Sequence, residues 1–210
     1  MRTLLDLVLP LECAGCASPG TGWCAGCAAH LSGPPQRIRP RTDPGVPCWA
    51  LSRYAGPPRR AVLAAKERRR HDLAEPIGRA MAAALARLRG ETRPLVLIPA
   101  PSRRVAARRR GGDPVLRSTY VAANWLRGCQ VLPVLAVWRG VHDSVGLSAG
   151  ERRHNLRGRI MTAHIPPLPA NAQVVLVDDV LTTGATAAES IRVLTGAGLG
   201  VDAVVVTCAA

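Results

Sequence analysis

The sequence predicts an α/β fold with a mostly parallel sheet, and three observations predict it. Short, almost wholly apolar segments recur along the chain. Segments with apolar residues at helical spacing lie between them. The two kinds alternate, which is the order of a sheet covered by helices on both faces. CWALSRYAG, from Cys48, alternates like a strand. Residues 57–70 open on two prolines, which suit a helix N-terminus, and then carry apolar residues at helical spacing. Residues 73–90 read as a longer helix with Gly90 as its stop. PLVLIPAP is a second short buried strand, and a helix starts after Asp113. VLPVLAVW reads as a strand, and SAGERRHNLRG as a helix N-capped by Ser148. Val174–Val177 is a buried strand feeding another helix, and VDAVVVTC is the last strand.

At 210 residues, 48% of them hydrophobic, the chain suits one domain with a small appendage. The division expected is 1–47, an N-terminal helix, cysteine knuckle and linker, and 48–210, the α/β domain. The linker is SGPPQRIRPRTDPGVP, rich in Pro, Gly and charge. No apolar run approaches the roughly 18 residues of a membrane span. The first residues, MRTLLDLVLPLECAGC, are interrupted by Asp6 and lead straight into cysteines, so they read as an amphipathic helix and not a signal peptide. A cytoplasmic protein with no membrane partner is the expectation.

Charge is uneven. Residues 1–162 carry 27 basic and 10 acidic groups, whereas 163–210 carry one basic and four acidic. Lys66 is the sole lysine; the other 27 cations are arginine. Arginine presents a planar fork of donors to phosphate, so the balance suits a small polyanionic substrate or nucleic acid. Aromatics are 3% of residues and Phe is absent, which argues against a stacking platform for single strands. Any DNA binding is expected to be weak, salt-sensitive and blind to sequence.

Gln173–Thr186, QVVLVDDVLTTGAT, is the most informative stretch. An apolar strand meets two adjacent carboxylates, Asp178 and Asp179. Thr182, Thr183, Gly184, Ala185 and Thr186 then form a turn into a helix. Such a turn supplies free backbone N–H groups and hydroxyls to a phosphate, and Gly184 lets the backbone approach an anion closely. The carboxylates can accept from two ribose hydroxyls or hold hydrated Mg²⁺. Together these parts suit a phosphorylated sugar. An ordinary βα turn with capping threonines needs one hydroxyl and no acidic pair. The loop G-x-x-x-x-G-K-[ST] of many triphosphatases is absent.

Cys13-x2-Cys16 and Cys24-x2-Cys27 are two pairs with seven residues between them. Four thiolates at this spacing can close around a structural Zn²⁺, whose binding would supply folding energy to a segment with no core of its own. Two disulfides in a secreted chain are the alternative, disfavoured by the missing signal peptide. Cys48, Cys129 and Cys208 lie in apolar surroundings and read as buried small hydrophobes.

The Val174–Thr186 string resembles the 5-phosphoribosyl-1-pyrophosphate (PRPP) loop of type I phosphoribosyltransferases: four hydrophobic residues, two acidic, then a Thr-Thr-Gly-x-Thr turn. The whole chain resembles the ComF/GntX family. It shares the four-cysteine knuckle, a strand ending in Tyr54, then Gly56, Arg59 and Lys66, then Ile98–Arg104 (IPAPSRR). Family members are linked to competence for DNA uptake and described as amidophosphoribosyltransferase-like. The resemblance implies a type I phosphoribosyltransferase fold, with Asp178 and Asp179 catalytic and bound to the ribose hydroxyls. It places residues 182–186 around the 5′-phosphate and the loop after Ile98 on pyrophosphate. Arg103, Arg104 and Lys66 are the pyrophosphate candidates. Arg108, Arg109 and Arg110 would sit in a closing loop hinged at Gly111 and Gly112. The family's R-G-F-N-Q box is reduced to Arg110-Gly111 here, and only Leu147, Arg152 and Asn155 keep a later pattern, with Ser144 where Gln is usual. Three readings follow: a transferase on a nitrogen acceptor, a PRPP-binding regulator without turnover, and a basic nucleic-acid-binding accessory.

Overall fold

The computed structural model describes residues 11–90, 93–102, 112–138 and 158–210. Six strands form the main sheet in the order β1-β2-β8-β7-β3-β4. They are β1 (Gln36–Ile38), β2 (Cys48–Arg53), β3 (Leu95–Pro99), β4 (Cys129–Val131), β7 (Gln173–Leu181) and β8 (Ala203–Ala209). Every neighbouring pair is parallel except β1 with β2. β5 (Leu135–Val137) and β6 (Ile160–Thr162) make a separate antiparallel pair. The α/β class with a mostly parallel sheet is as the sequence predicts.

The helices are α1 (Ala25–Ala29), α2 (Gly56–Glu67), α3 (Ala74–Leu88), α4 (Pro114–Asn124) and α5 (Ala185–Gly196), with a 3-10 turn at His71–Leu73. Alternation along each strand sorts its side chains onto two faces. Val175, Val177, Leu95, Leu97 and Val205 pack against α2, α3 and α4 through Ala64, Met81, Leu85 and Ala122. Val174, Leu176, Val96, Ile98, Val204 and Val206 face α5 through Ile191 and Leu194. A sheet covered twice needs side chains that are apolar at every position, which is why β3, β7 and β8 read as continuous apolar runs.

The topology positions a site. From β3 the chain crosses through α4 outward to β4, and from β7 it crosses through α5 the other way to β8. The two connections diverge between adjacent strands β3 and β7. Ligands of open α/β sheets bind at the carboxyl ends of the strands beside such a divergence.

Four elements differ from the sequence reading. The stretch read as linker contributes β1, whose Arg37 pairs with Trp49 of β2. A three-residue edge strand tolerates flanking prolines because its outer N–H groups need no partner strand. VLPVLAVW does not form one strand: Pro133 lies between β4, in the main sheet, and β5, which pairs with the unanticipated β6. The motif strand continues past Val177 to Leu181, because β8 goes on pairing with it. Asp113 caps α4 as expected, accepting from the amides of Val115 at 2.9 Å and Leu116 at 3.3 Å. The expected N-terminal amphipathic helix (residues 1–10) and the Ser148-capped helix lie outside the described residues. Among the described residues no helix is long and apolar enough to cross a membrane.

Leu176 is fully buried at the centre of the α5 face. Leu176→Ala should destabilise the protein by about 2–5 kcal/mol, the cost of a lost side chain plus the cavity it leaves, read as a lower urea midpoint.

Candidate functional site

β3 ends at Pro99 opposite Val177, and the next amide, Ala100, donates to the Val177 carbonyl at 2.7 Å. From Asp178 onward β7 pairs with β8, Asp178 opposite Val206 and Val180 opposite Cys208. The acidic pair therefore lies within the strand, where one neighbour has stopped and the other continues. Consecutive strand residues point to opposite faces. Asp178 falls in line with Val174 and Leu176, and Asp179 with Val175 and Val177.

On its face Asp179 meets α2. The Lys66 ammonium donates to Asp179 Oδ1 at 2.8 Å and lies 2.7 Å from Oδ2. Oδ2 is buried and, although beside this cation, receives no hydrogen bond of good geometry. Burial works against the Lys66 ammonium, but the charges of Asp179 and Asp178 outweigh it and hold the lysine pKa above its ordinary value. Asp178 Oδ1 accepts from the Asp179 amide at 2.8 Å. Asp178 keeps some exposed surface, yet protein crowds its carboxyl; burial first, and the Asp179 charge second, push its pKa up to about 8. A small cavity of about 20 Å³, room for one water, lies beside Asp179 and is also lined by Val62, Ala65, Arg70 and Thr207.

The turn follows at once. Thr182 is exposed, Thr183 and Thr186 are half-buried, and Gly184 and Ala185 are buried. Gly184 has φ +85°, a left-handed conformation that strains other residues. A Cβ there would also lie 2.3 Å from the Thr42 carbonyl and 2.8 Å from Pro40 Cβ, so residues 40–42 leave it no room. The same segment is bonded to the turn, Thr42 N–H to the Thr183 carbonyl at 2.8 Å. Gly184 is the N-cap of α5 and brings no capping side chain; Thr183 Oγ1 accepts from the Ala185 amide at 3.3 Å. The first-turn amides beyond it have no intrahelical acceptor, and with the helix dipole they favour an anion. Beyond β3, a hollow of about 410 Å³ lies between Ala100–Ser102, Asp113 and the β5–β6 pair.

The four N-terminal cysteines form a second site. Their sulfurs all lie within 4.8 Å of one another, close enough to hold one structural metal ion such as zinc. Cys16 and Cys24 sulfurs are 3.6 Å apart, near the roughly 3.8 Å separation of ligands on a tetrahedral zinc–thiolate centre. Cys24 Sγ caps α1 by accepting from the Cys27 amide at 3.4 Å, and Cys13 Sγ accepts from Cys24 N at 3.3 Å and Gly15 N at 3.4 Å. Burial opposes ionisation of Cys13, but the amides of Cys24, Cys16 and Gly15 overturn it and bring its pKa down to about 6. Burial and the neighbouring cysteines push Cys27 up. The four sulfurs cannot all ionise together without a cation among them. None of the seven cysteines forms a disulfide; Cys48 and Cys208 are buried as expected, and Cys129 is half-buried.

The structure thus brings Asp178, Asp179, Lys66 and residues 182–186 to one end of the sheet, and Cys13, Cys16, Cys24 and Cys27 to one cluster. Lys66, read as a pyrophosphate candidate, has its ammonium on Asp179. Arg103, Arg104, Arg108, Arg109, Arg110 and Gly111 lie outside the described residues; Gly112 precedes the α4 cap. Sequence reasoning missed Pro40–Thr42, which no local pattern marks. Comparison with known proteins finds no family model that matches the chain and no curated protein that matches it.

The raised Asp178 pKa has a pH signature. Its folded value, about 8, stands above the unfolded Asp value near 3.9, so the folded state holds the extra proton in between. Stability contributed by this group therefore falls as pH rises from about 4 to about 8. Asp178→Asn keeps the acceptor for the Asp179 amide and removes the titration. Melting curves from pH 5 to 9 should show the variant gaining on wild type by a few degrees toward high pH; parallel curves would contradict the assignment.

Proposed function

We propose that the chain binds PRPP with Mg²⁺ at the carboxyl end of β7, in the manner of a type I phosphoribosyltransferase. One observation supports this above others. An adjacent acid pair in the strand and, five residues on, a helix N-terminus whose cap residue Gly184 brings no side chain lie together at the carboxyl end of β7. The 5′-phosphate takes the amides and hydroxyls of Thr182–Thr186, and the carboxyl oxygens of Asp178 and Asp179 accept from the ribose hydroxyls. Mg²⁺, bound with the ligand, supplies positive charge to the pyrophosphate. Ribose hydroxyls that engage Asp179 compete with Lys66, which is then free to turn toward the leaving group.

In the catalytic form of this reading a nitrogen lone pair attacks C1. The C1–oxygen bond to pyrophosphate breaks, the electron pair leaves with pyrophosphate, and the nitrogen gives up a proton. The transition state resembles an oxocarbenium ion, so the protein contributes positioning and charge more than covalent chemistry. Pyrophosphate release with a panel of amines and bases separates transfer from binding alone.

At a hundred times its dissociation constant, Mg²⁺–PRPP should stabilise the protein by about 2.7 kcal/mol, seen as a raised Tm. Asp178→Ala with Asp179→Ala should abolish this shift, and an undiminished shift would refute the site. We further assign zinc to the cysteine cluster. Metal analysis of untagged protein should find one zinc per chain, and a metal-free chain or paired disulfides would contradict it.

A further inference from the structure

The knuckle grips the core through two arginines. Arg60, on α2, donates its Nε to the Gly15 carbonyl, inside the first cysteine turn. Arg70, just beyond α2, donates to the carbonyls of Glu12 at 3.0 Å and Gly22 at 3.1 Å. It also holds Asp72 through Nε and Nη2, both at 2.8 Å. The fit is close: a Cβ on Gly22 would lie 2.5 Å from Asp72 Oδ2. Lys66, the partner of Asp179, lies between these two arginines in the chain.

Apart from the Lys66–Asp179 pair, α2 meets the core through small side chains. Its buried residues are Pro58, Ala61, Val62 and Ala64, whereas α3 buries Ile77, Met81 and Leu85 among others. Small side chains remove little apolar surface from water. No side chain caps the α2 N-terminus. Guanidinium bonds to carbonyls are charge-assisted, and such bonds are the stronger kind. The position of α2, and with it that of the Lys66 ammonium, therefore leans on the knuckle. Arg70 adds a direct link, because it lines the cavity beside Asp179.

We propose that the four-cysteine knuckle is a brace for the ligand site, with Arg60 and Arg70 as positioning residues that hold α2 where Lys66 meets Asp179. Its effect on affinity rests on the PRPP reading; its effect on α2 does not. A metal-loaded knuckle keeps the Gly15, Glu12 and Gly22 carbonyls in place. Losing the metal releases those carbonyls, frees α2 and slackens the Lys66–Asp179 pair.

The test uses the full chain as wild type, Arg60→Ala, Arg60→Lys, and Arg60→Ala with Arg70→Ala. Metal content, amide hydrogen exchange across 56–67 and Mg²⁺–PRPP affinity are measured on each. The double variant should keep its metal, yet α2 should exchange about tenfold faster, as expected when an element opens locally. PRPP affinity should fall by about tenfold, and Lys66→Ala should cost little more in that background, the non-additivity of coupled residues. Arg60→Lys, which keeps a donor, should recover most of what Arg60→Ala loses. Chelation of the wild type should raise exchange in 56–67 in the same way, which covers the case of variants that do not fold. A metal-bearing double variant with wild-type exchange in α2 and wild-type affinity would overturn the brace. If wild type itself ignores PRPP, the PRPP reading fails and the exchange arm alone decides the brace.

Discussion

Two adjacent carboxylates inside a parallel strand are the constraint around which this structure is arranged. A strand covered on both faces is a poor place for charge, and burial of an unpaired carboxylate is costly. The strand alternation splits the pair, so that each acid meets a different environment. Asp179 is neutralised by Lys66, 2.7 Å away on α2. Asp178 makes no ion pair among the described residues; the more distant Lys66 charge does not offset its burial, and it holds its proton up to about pH 8. The protein tolerates this because the pair lies where β3 has ended. Such a local conflict at a sheet's carboxyl end makes the acid pair a candidate site.

The second half of the site answers a different demand. An anion needs donors that water does not already occupy and a backbone it can approach. Gly184 caps α5 with no side chain, at φ +85°, and so leaves the first-turn amides beyond Ala185 without a side-chain acceptor from the cap. Residues 40–42 then lie across it, with the Thr42 amide on the Thr183 carbonyl at 2.8 Å. An edge segment that the sequence marks only as Pro-rich thus holds the shape of the turn. The acid pair and the turn are adjacent in sequence, but the elements that steady them, α2 and residues 40–42, come from more than a hundred residues away.

Legibility followed the range of the interactions. β3, β7 and β8 were readable because burial on two faces writes itself as a continuous apolar run. The α4 start was readable because Asp113 caps its own neighbours. The cysteine cluster was readable because paired turns fix ligand spacing locally. The far end of β7 was not: its ladder beyond Val177 depends on β8, so hydrophobicity stops marking the strand before its hydrogen bonds stop. β1 and β6 have three residues each, too few for a period. Lys66 could be picked out, but not its partner 113 positions away. Arg60 and Arg70 looked like any exposed arginines, because their acceptors are backbone carbonyls 45 and more residues distant, which have no residue signature.

The central claim is that the acid pair and the helix turn form one site that reads both ends of a phosphoribosyl ligand. Calorimetric titration with PRPP, ribose 5-phosphate and pyrophosphate, each with and without Mg²⁺, tests it most directly. PRPP with Mg²⁺ should bind more tightly than either fragment, ribose 5-phosphate should still bind through the turn, and omitting Mg²⁺ should weaken PRPP most. No heat of binding from PRPP at millimolar concentration, or equal affinity for PRPP and free pyrophosphate, would contradict the account.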